Sequence, residues 1–331
     1  MLASYRICGL GLAFNVPIAG LEGLPRPAKI DVRVTFGSLP REVDASLLGE
    51  QECFVDTELD DHGLPCMRVA RLGAGRYYRL EYSEGVTVVV DARGTEVWAN
   101  WTGAMTVDAA SSYVTGSLLG FVLRLRGITC MHGSAIAIGA QAIALVGPSG
   151  SGKSSTAAGF ARLGYGVLTD DIIALRETGV EFRVEPALPR VHLWPESARA
   201  MCGSWESLPR ITPQWEKLRL DLGGPGLRFQ GEGVPLAAIY FLGERDAGHG
   251  EPRIEAVRPA HALIDLVSDS HAAEFVERPQ RAEEFDVLAR LLERVPTRRV
   301  TPSEDLALVP ALCAAIARDF ERIGASLATA I

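Results

Sequence analysis

The sequence lacks the marks of several large protein classes. It has six cysteines, but no Cys-x-x-Cys pair and none near a histidine at zinc-ligand spacing. Neither a zinc module nor a dithiol redox centre is expected. The cysteines read as reduced thiols, several buried as small apolar residues. No run reaches the roughly 18 apolar residues of a membrane span. The opening MLASYRICGLGLAF carries one Arg and a short apolar run, with no charged segment or clean cleavage site, so no signal peptide is expected. Positive charge is also short: 33 Lys and Arg face 41 Asp and Glu, a net charge of −8. Nucleic-acid affinity would rest on neutralising phosphates, so this balance argues against a general nucleic-acid binder, although not against a local basic pocket. No internal repeat or low-complexity segment stands out. The expectation is a cytoplasmic protein that contacts neither membrane nor nucleic acid.

What is present fits an ordinary globular chain. Its 331 residues are 47% hydrophobic and 22% charged, enough for about two domains. Residues 1–105 read as strands and turns: DVRVTF at 31–36, YYRLEY at 77–82, VTVVV at 86–90 and TEVWANW at 95–101. This segment is expected to be a β-rich N-terminal domain. Residues 106–331 are expected to form an α/β domain. The period changes over 108–126, where Val114, Leu118, Leu119, Val122 and Leu125 recur at helical spacing, with Asp108 as the expected cap. Two short apolar strands, 130–138 and 142–146, then flank a Gly-containing turn and read as a hairpin. Residues 181–233 are rich in Pro and Gly and read as loop. Residues 236–242 read as a buried strand, and 260–268, 283–292 and 306–323 as helices.

The second hairpin strand runs into Gly147-Pro148-Ser149-Gly150-Ser151-Gly152-Lys153-Ser154, which satisfies G-x-x-x-x-G-K-[ST], and a helix with Ser155 in its first turn follows. The physical logic holds at this spacing. Glycines 147, 150 and 152 let the backbone curl around an anion with its N–H groups inward. The helix N-terminus adds donors and partial positive charge. Lys153 can reach the β- and γ-phosphates of ATP, and the Ser154 hydroxyl suits Mg²⁺.

Seventeen residues after Lys153, Asp170 and Asp171 close a short strand, Val167 to Thr169. Ligands of open α/β sheets bind at that end. Successive strand residues face opposite ways, so one carboxylate can hold Mg²⁺ and the other can accept a hydroxyl proton. His132 opens the hairpin and is either a structural hydrogen-bonder or a group beside the phosphates. Lys217 and Arg219 are either exposed basic residues or an anion clamp. Glu196 is a further candidate metal ligand.

Met131-His-Gly133, the hairpin, the glycine-rich loop and Gly164-Tyr-Gly-Val-Leu-Thr-Asp-Asp171 together resemble the catalytic domain of HPr serine kinase/phosphorylase, whose fold is related to phosphoenolpyruvate carboxykinase. The match is closer still to the HPr-kinase-like proteins encoded with lasso-peptide biosynthesis genes. It covers about residues 115–176, and more weakly Leu193 to Ser197, Glu216 to Arg219 and Pro235 to Leu242. The resemblance implies an α/β P-loop kinase domain over residues 106–331, behind a β-rich domain at 1–105 able to help bind the acceptor, using ATP and Mg²⁺ to phosphorylate serine in a peptide or small protein. In the lasso-peptide homologues the acceptor is a C-terminal Ser of the precursor. By position, Asp170 would be the general base, Asp171 would assist with metal or base positioning, and His132 would sit beside them. The family's downstream acidic segment and Pro-Gly-Arg-Asn loop have no counterpart here, so the reverse reaction is not implied. A kinase for a small metabolite and a non-catalytic nucleotide-dependent switch or adaptor are the alternatives.

Overall fold

The computed structural model describes residues 2–43, 48–203, 205–247, 251–268 and 277–329. It is mixed α/β, and its contacts divide the chain into two compact units. The first comprises Met1–Ile128 with the segments Ile211–Trp215 and His271–Glu283; the second is Thr129–Arg210, Glu216–Ser270 and Glu284–Ile331.

The first unit is built on one eight-stranded sheet. Its strands are β1 (Ala3–Ile7), β2 (Leu10–Phe14), β3 (Val32–Phe36), β4 (Glu50–Val55), β5 (Met67–Leu72), β6 (Tyr77–Tyr82), β7 (Val86–Asp91) and β8 (Glu96–Trp101). Their order is β1-β2-β3-β8-β7-β6-β5-β4. The strands from β4 to β8 form a meander of antiparallel neighbours. The helical stretch breaks at Gly116 into α1 (Val107–Thr115) and α2 (Ser117–Leu125). The apolar period runs through that break, which is why the sequence reads as one helix. Thr106, not Asp108, is the cap: its hydroxyl accepts from the Ala109 N–H at 3.2 Å. Tyr113 and Phe121 bury edge-on against Tyr82 and Tyr78, at centroid distances of 4.8 and 5.1 Å. The compact units therefore divide after Ile128, whereas the sequence reading set the boundary before these helices, at 105/106.

The second unit carries the hairpin β9 (Cys130–Ile138) and β10 (Gln141–Val146), then α3 (Lys153–Arg162), β11 (Gly166–Thr169) and β12 (Ile172–Glu177). The Pro/Gly-rich stretch, expected as loop, holds short elements: β13 (Phe182–Glu185), β14 (Arg190–Leu193), α4 (Pro195–Met201), β15 (Leu218–Asp221) and β16 (Arg228–Phe229). They are too short to show a period in sequence. Then follow β17 (Val234–Leu242), β18 (Arg253–Ala256), α5 (Pro259–Ser268), α6 (Arg278–Arg294), β19 (Thr297–Thr301) and α7 (Val309–Thr329). Within the sheet β10, β17 and β19 run parallel, and β9 is antiparallel to β10, β11 and β12.

Period-2 alternation gives this sheet two buried faces. Ile143 and Leu145 of β10 join Phe160 of α3 and Ile316 and Phe320 of α7 in one core. Ala144 and Val146 face the other way, toward Leu266 of α5 and Leu288 and Leu291 of α6. Helices thus cover both faces, which locks β10 centrally and fixes the loop that leaves its end. No helix among the described residues is long and apolar enough to cross a membrane.

Candidate active site

The glycine-rich loop leaves β10 and turns into α3 as its sequence requires. Gly147 has φ of +139°, and a Cβ there would lie 2.4 Å from the Leu242 carbonyl oxygen. Only glycine fits. The ladder of α3 opens with Thr156 N–H donating to Gly152 C=O at 2.8 Å. The N–H groups of Ser154 and Ser155 lie ahead of it, where an anion can take them.

Asp170 and Asp171 interrupt what is otherwise one long edge along β9. The register that pairs Thr169 with Ala135 and Ile172 with His132 sets Asp170 opposite Ser134 and Asp171 opposite Gly133. The Ser134 hydroxyl donates to Asp170 Oδ1 at 2.7 Å. The backbone N–H of His192, in β14, donates to Asp170 Oδ2 at 2.9 Å. Asp170 is therefore held by both oxygens, each with a second lone pair left. Asp171 adopts φ of +87°, a left-handed conformation costly for a residue with a Cβ. Its Oδ1 lies 3.2 Å from His132 Nδ1. The two carboxylates thus have different surroundings.

Both carboxylates and His132 line a single cleft. Of the expected residues it gathers Ser149, Gly150, Gly152, Lys153, Ser154 and Ser155 from the loop and helix. His132, Asp170, Asp171 and Lys217 join them. Gly147, Pro148 and Ser151 shape the loop without lining the cleft. The Lys153 ammonium donates to the carbonyls of Gly147 and Pro148, at 2.7 and 3.0 Å. The Ser155 hydroxyl is engaged by Ser197 of α4 at 2.8 Å.

Two expectations are corrected. Arg219 does not line the cleft; its Nε lies 3.0 Å from Asp221 Oδ1, so the clamp pairing of Lys217 with Arg219 is not formed. The two residues are two apart on the β15 edge and its approach, but only Lys217 reaches the cleft, its ammonium 5.3 Å from the Trp194 ring centroid. Glu196 is exposed on α4 and stands outside the cleft. Among the described residues no group of three His, Cys, Asp or Glu could by itself hold a metal ion.

The cleft is also lined by Gly133, His192, Trp194, Ser197 and Arg245, to none of which the sequence analysis assigns a site role. Burial pushes the His192 imidazole down to about 4, with Arg190 and Lys217 adding to it and Asp170 and Asp171 opposing. It is neutral at neutral pH, and its buried Nε2 has no hydrogen-bond partner among the described residues. The only sequence signal for Arg245 is its place just past a strand that ends beside the glycine-rich loop.

No family model and no curated protein matches the sequence. Among solved structures, the Hpr(Ser) kinase/phosphatase from Coxiella burnetii superposes with a TM-score of 0.30 at 11% identity, over 57% of this chain and 95% of that one. A likeness of that size fixes neither fold family nor activity.

Proposed function

We propose that the protein is an ATP- and Mg²⁺-dependent phosphotransferase that moves the γ-phosphoryl group to a serine hydroxyl of a peptide or small protein, the C-terminal Ser of a lasso-peptide precursor being the favoured acceptor. One observation carries the reading: the N-terminus of α3 and the Asp170–Asp171 pair open into the same cleft. An anion cradle supports phosphate binding, and a carboxylate beside it supports proton removal from an attacking alcohol.

Asp170 is the base in this reading. Ser134 and the His192 backbone fix its orientation, and its remaining lone pairs can take the hydroxyl proton. Asp171 and the Ser154 hydroxyl are oxygen donors of the kind magnesium takes, and two suffice because the ion keeps water and phosphate ligands. When bound, the metal would neutralise charge on the phosphate oxygens. His132 orients Asp171 through their 3.2 Å contact. Lys153 must leave its two loop carbonyls to meet a phosphate, and the exchange of neutral acceptors for an anionic one favours that move.

The test is incubation with γ-labelled ATP, magnesium and candidate peptides ending in Ser, followed by mass spectrometry. Phosphoserine in a peptide is expected, and Lys153→Ala should abolish it. Label found only in small molecules would make this a metabolite kinase. ATP binding with no transfer to any acceptor would make it a switch or adaptor.

A further inference from the structure

We infer that Arg245 is a substrate-contacting residue of this cleft, its guanidinium gripping the outermost phosphate of a bound nucleoside triphosphate. The inference rests on the phosphotransferase reading and adds to it a residue that no motif contains.

Topology brings Arg245 there. β10 and β17 are parallel neighbours, with Val146 paired to Phe241. The two strands finish at the same sheet edge, so the residues that follow each of them meet. The glycine-rich loop follows one, and Arg245 follows the other. The approach is close: a Cβ on Gly152 would lie 3.0 Å from Arg245 Nη2 and 3.7 Å from its Cζ and Nε. The planar group therefore lies against the residue that caps α3, at the end where anions bind.

The segment carrying Arg245 is anchored. Gly243 N–H donates to Val300 C=O at 2.9 Å, and Asp246 N–H donates to Pro302 C=O at 2.8 Å. Its acidic neighbour Asp246 faces Arg253 at 3.6 Å. Among the described residues no carboxylate pairs with Arg245. An arginine fork without a carboxylate, set over a phosphate cradle, matches the bidentate geometry of a phosphoryl group. The loop N–H groups serve the inner phosphates, and the guanidinium joins Lys153 on the outermost one.

The experiment is calorimetric titration of the full chain with MgATP and with MgADP. Wild type is expected to bind MgATP more tightly. Arg245→Ala should lose about tenfold or more in MgATP affinity while MgADP affinity stays within about twofold. Arg245→Gln, uncharged and of similar length, should give the same split, and it decides the matter if the Ala variant does not fold. Variants that bind both nucleotides as wild type does, or that weaken both equally, would overturn the inference alone. Wild-type protein that binds neither nucleotide would overturn the phosphotransferase reading and this inference with it.

Discussion

The N–H of Gly133 donates to the carbonyl of Asp171 across 3.1 Å. This bond ties the hairpin that feeds the phosphate loop to the strained residue of the carboxylate pair. It needs close approach, and a Cβ on Gly133 would lie 2.3 Å from the Leu145 carbonyl oxygen and 2.9 Å from Ile173 Cδ1. The glycine after His132 is thus a packing requirement with a consequence at the site.

Gly133→Ala should therefore destabilise the protein by about 1–3 kcal/mol, the usual size of an overpacking penalty. Urea denaturation measures it. An unchanged midpoint would show that β9 and β10 can separate freely, against the account of a rigid site.

Asp171→Gly should separate stability from activity. Glycine accepts φ of +87° without penalty. Relief of the strain should raise stability by about 1 kcal/mol, while phosphoryl transfer is lost with the carboxylate. A less stable variant, or one that still transfers, would contradict the role given to Asp171.

Ser134→Ala should act through Asp170 alone. It removes the 2.7 Å hydrogen bond to Oδ1 and leaves the His192 N–H on Oδ2. Turnover should fall about tenfold, the scale of one lost hydrogen bond to a charged group, with MgATP affinity unchanged. Asp170→Asn should abolish transfer and still bind MgATP. Normal peptide phosphorylation by the Asn variant would remove Asp170 as base.

His192 should make stability depend on pH in mildly acid solution. Its folded value is pushed down to about 4 from an ordinary 6.5. Between those values the unfolded chain holds the proton and the folded one does not. Stability is complete above about pH 6.5, falls as pH drops toward 4, and loses at most about 3 kcal/mol from this group. His192→Gln should flatten that part of the profile in chemical denaturation at stepped pH. An identical slope in both proteins would contradict the burial of a neutral imidazole.

The local parts of the site were legible in the sequence, and the assembled parts were not. The loop from Gly147 to Ser154, the hairpin before it and the Asp pair after it are contiguous, so turn residues and strand periods reveal them. Ser134 lies in that same hairpin, yet only the register of β9 against the Asp pair sets it opposite Asp170. His192 and Arg245 arrive from β14 and from beyond β17 through long-range pairing. Arg219 shows the converse: it is close in sequence to Lys217, but Asp221 takes its charge. The break at Gly116 was hidden because apolar residues keep helical spacing across it.

The most direct measurement is a crystal structure of the protein with magnesium and a non-hydrolysable ATP analogue. The outermost phosphate should lie between the start of α3 and the carboxylates of Asp170 and Asp171, with space beside Asp170 for an alcohol. A nucleotide bound elsewhere, or both carboxylates turned away from its phosphates, would contradict the account.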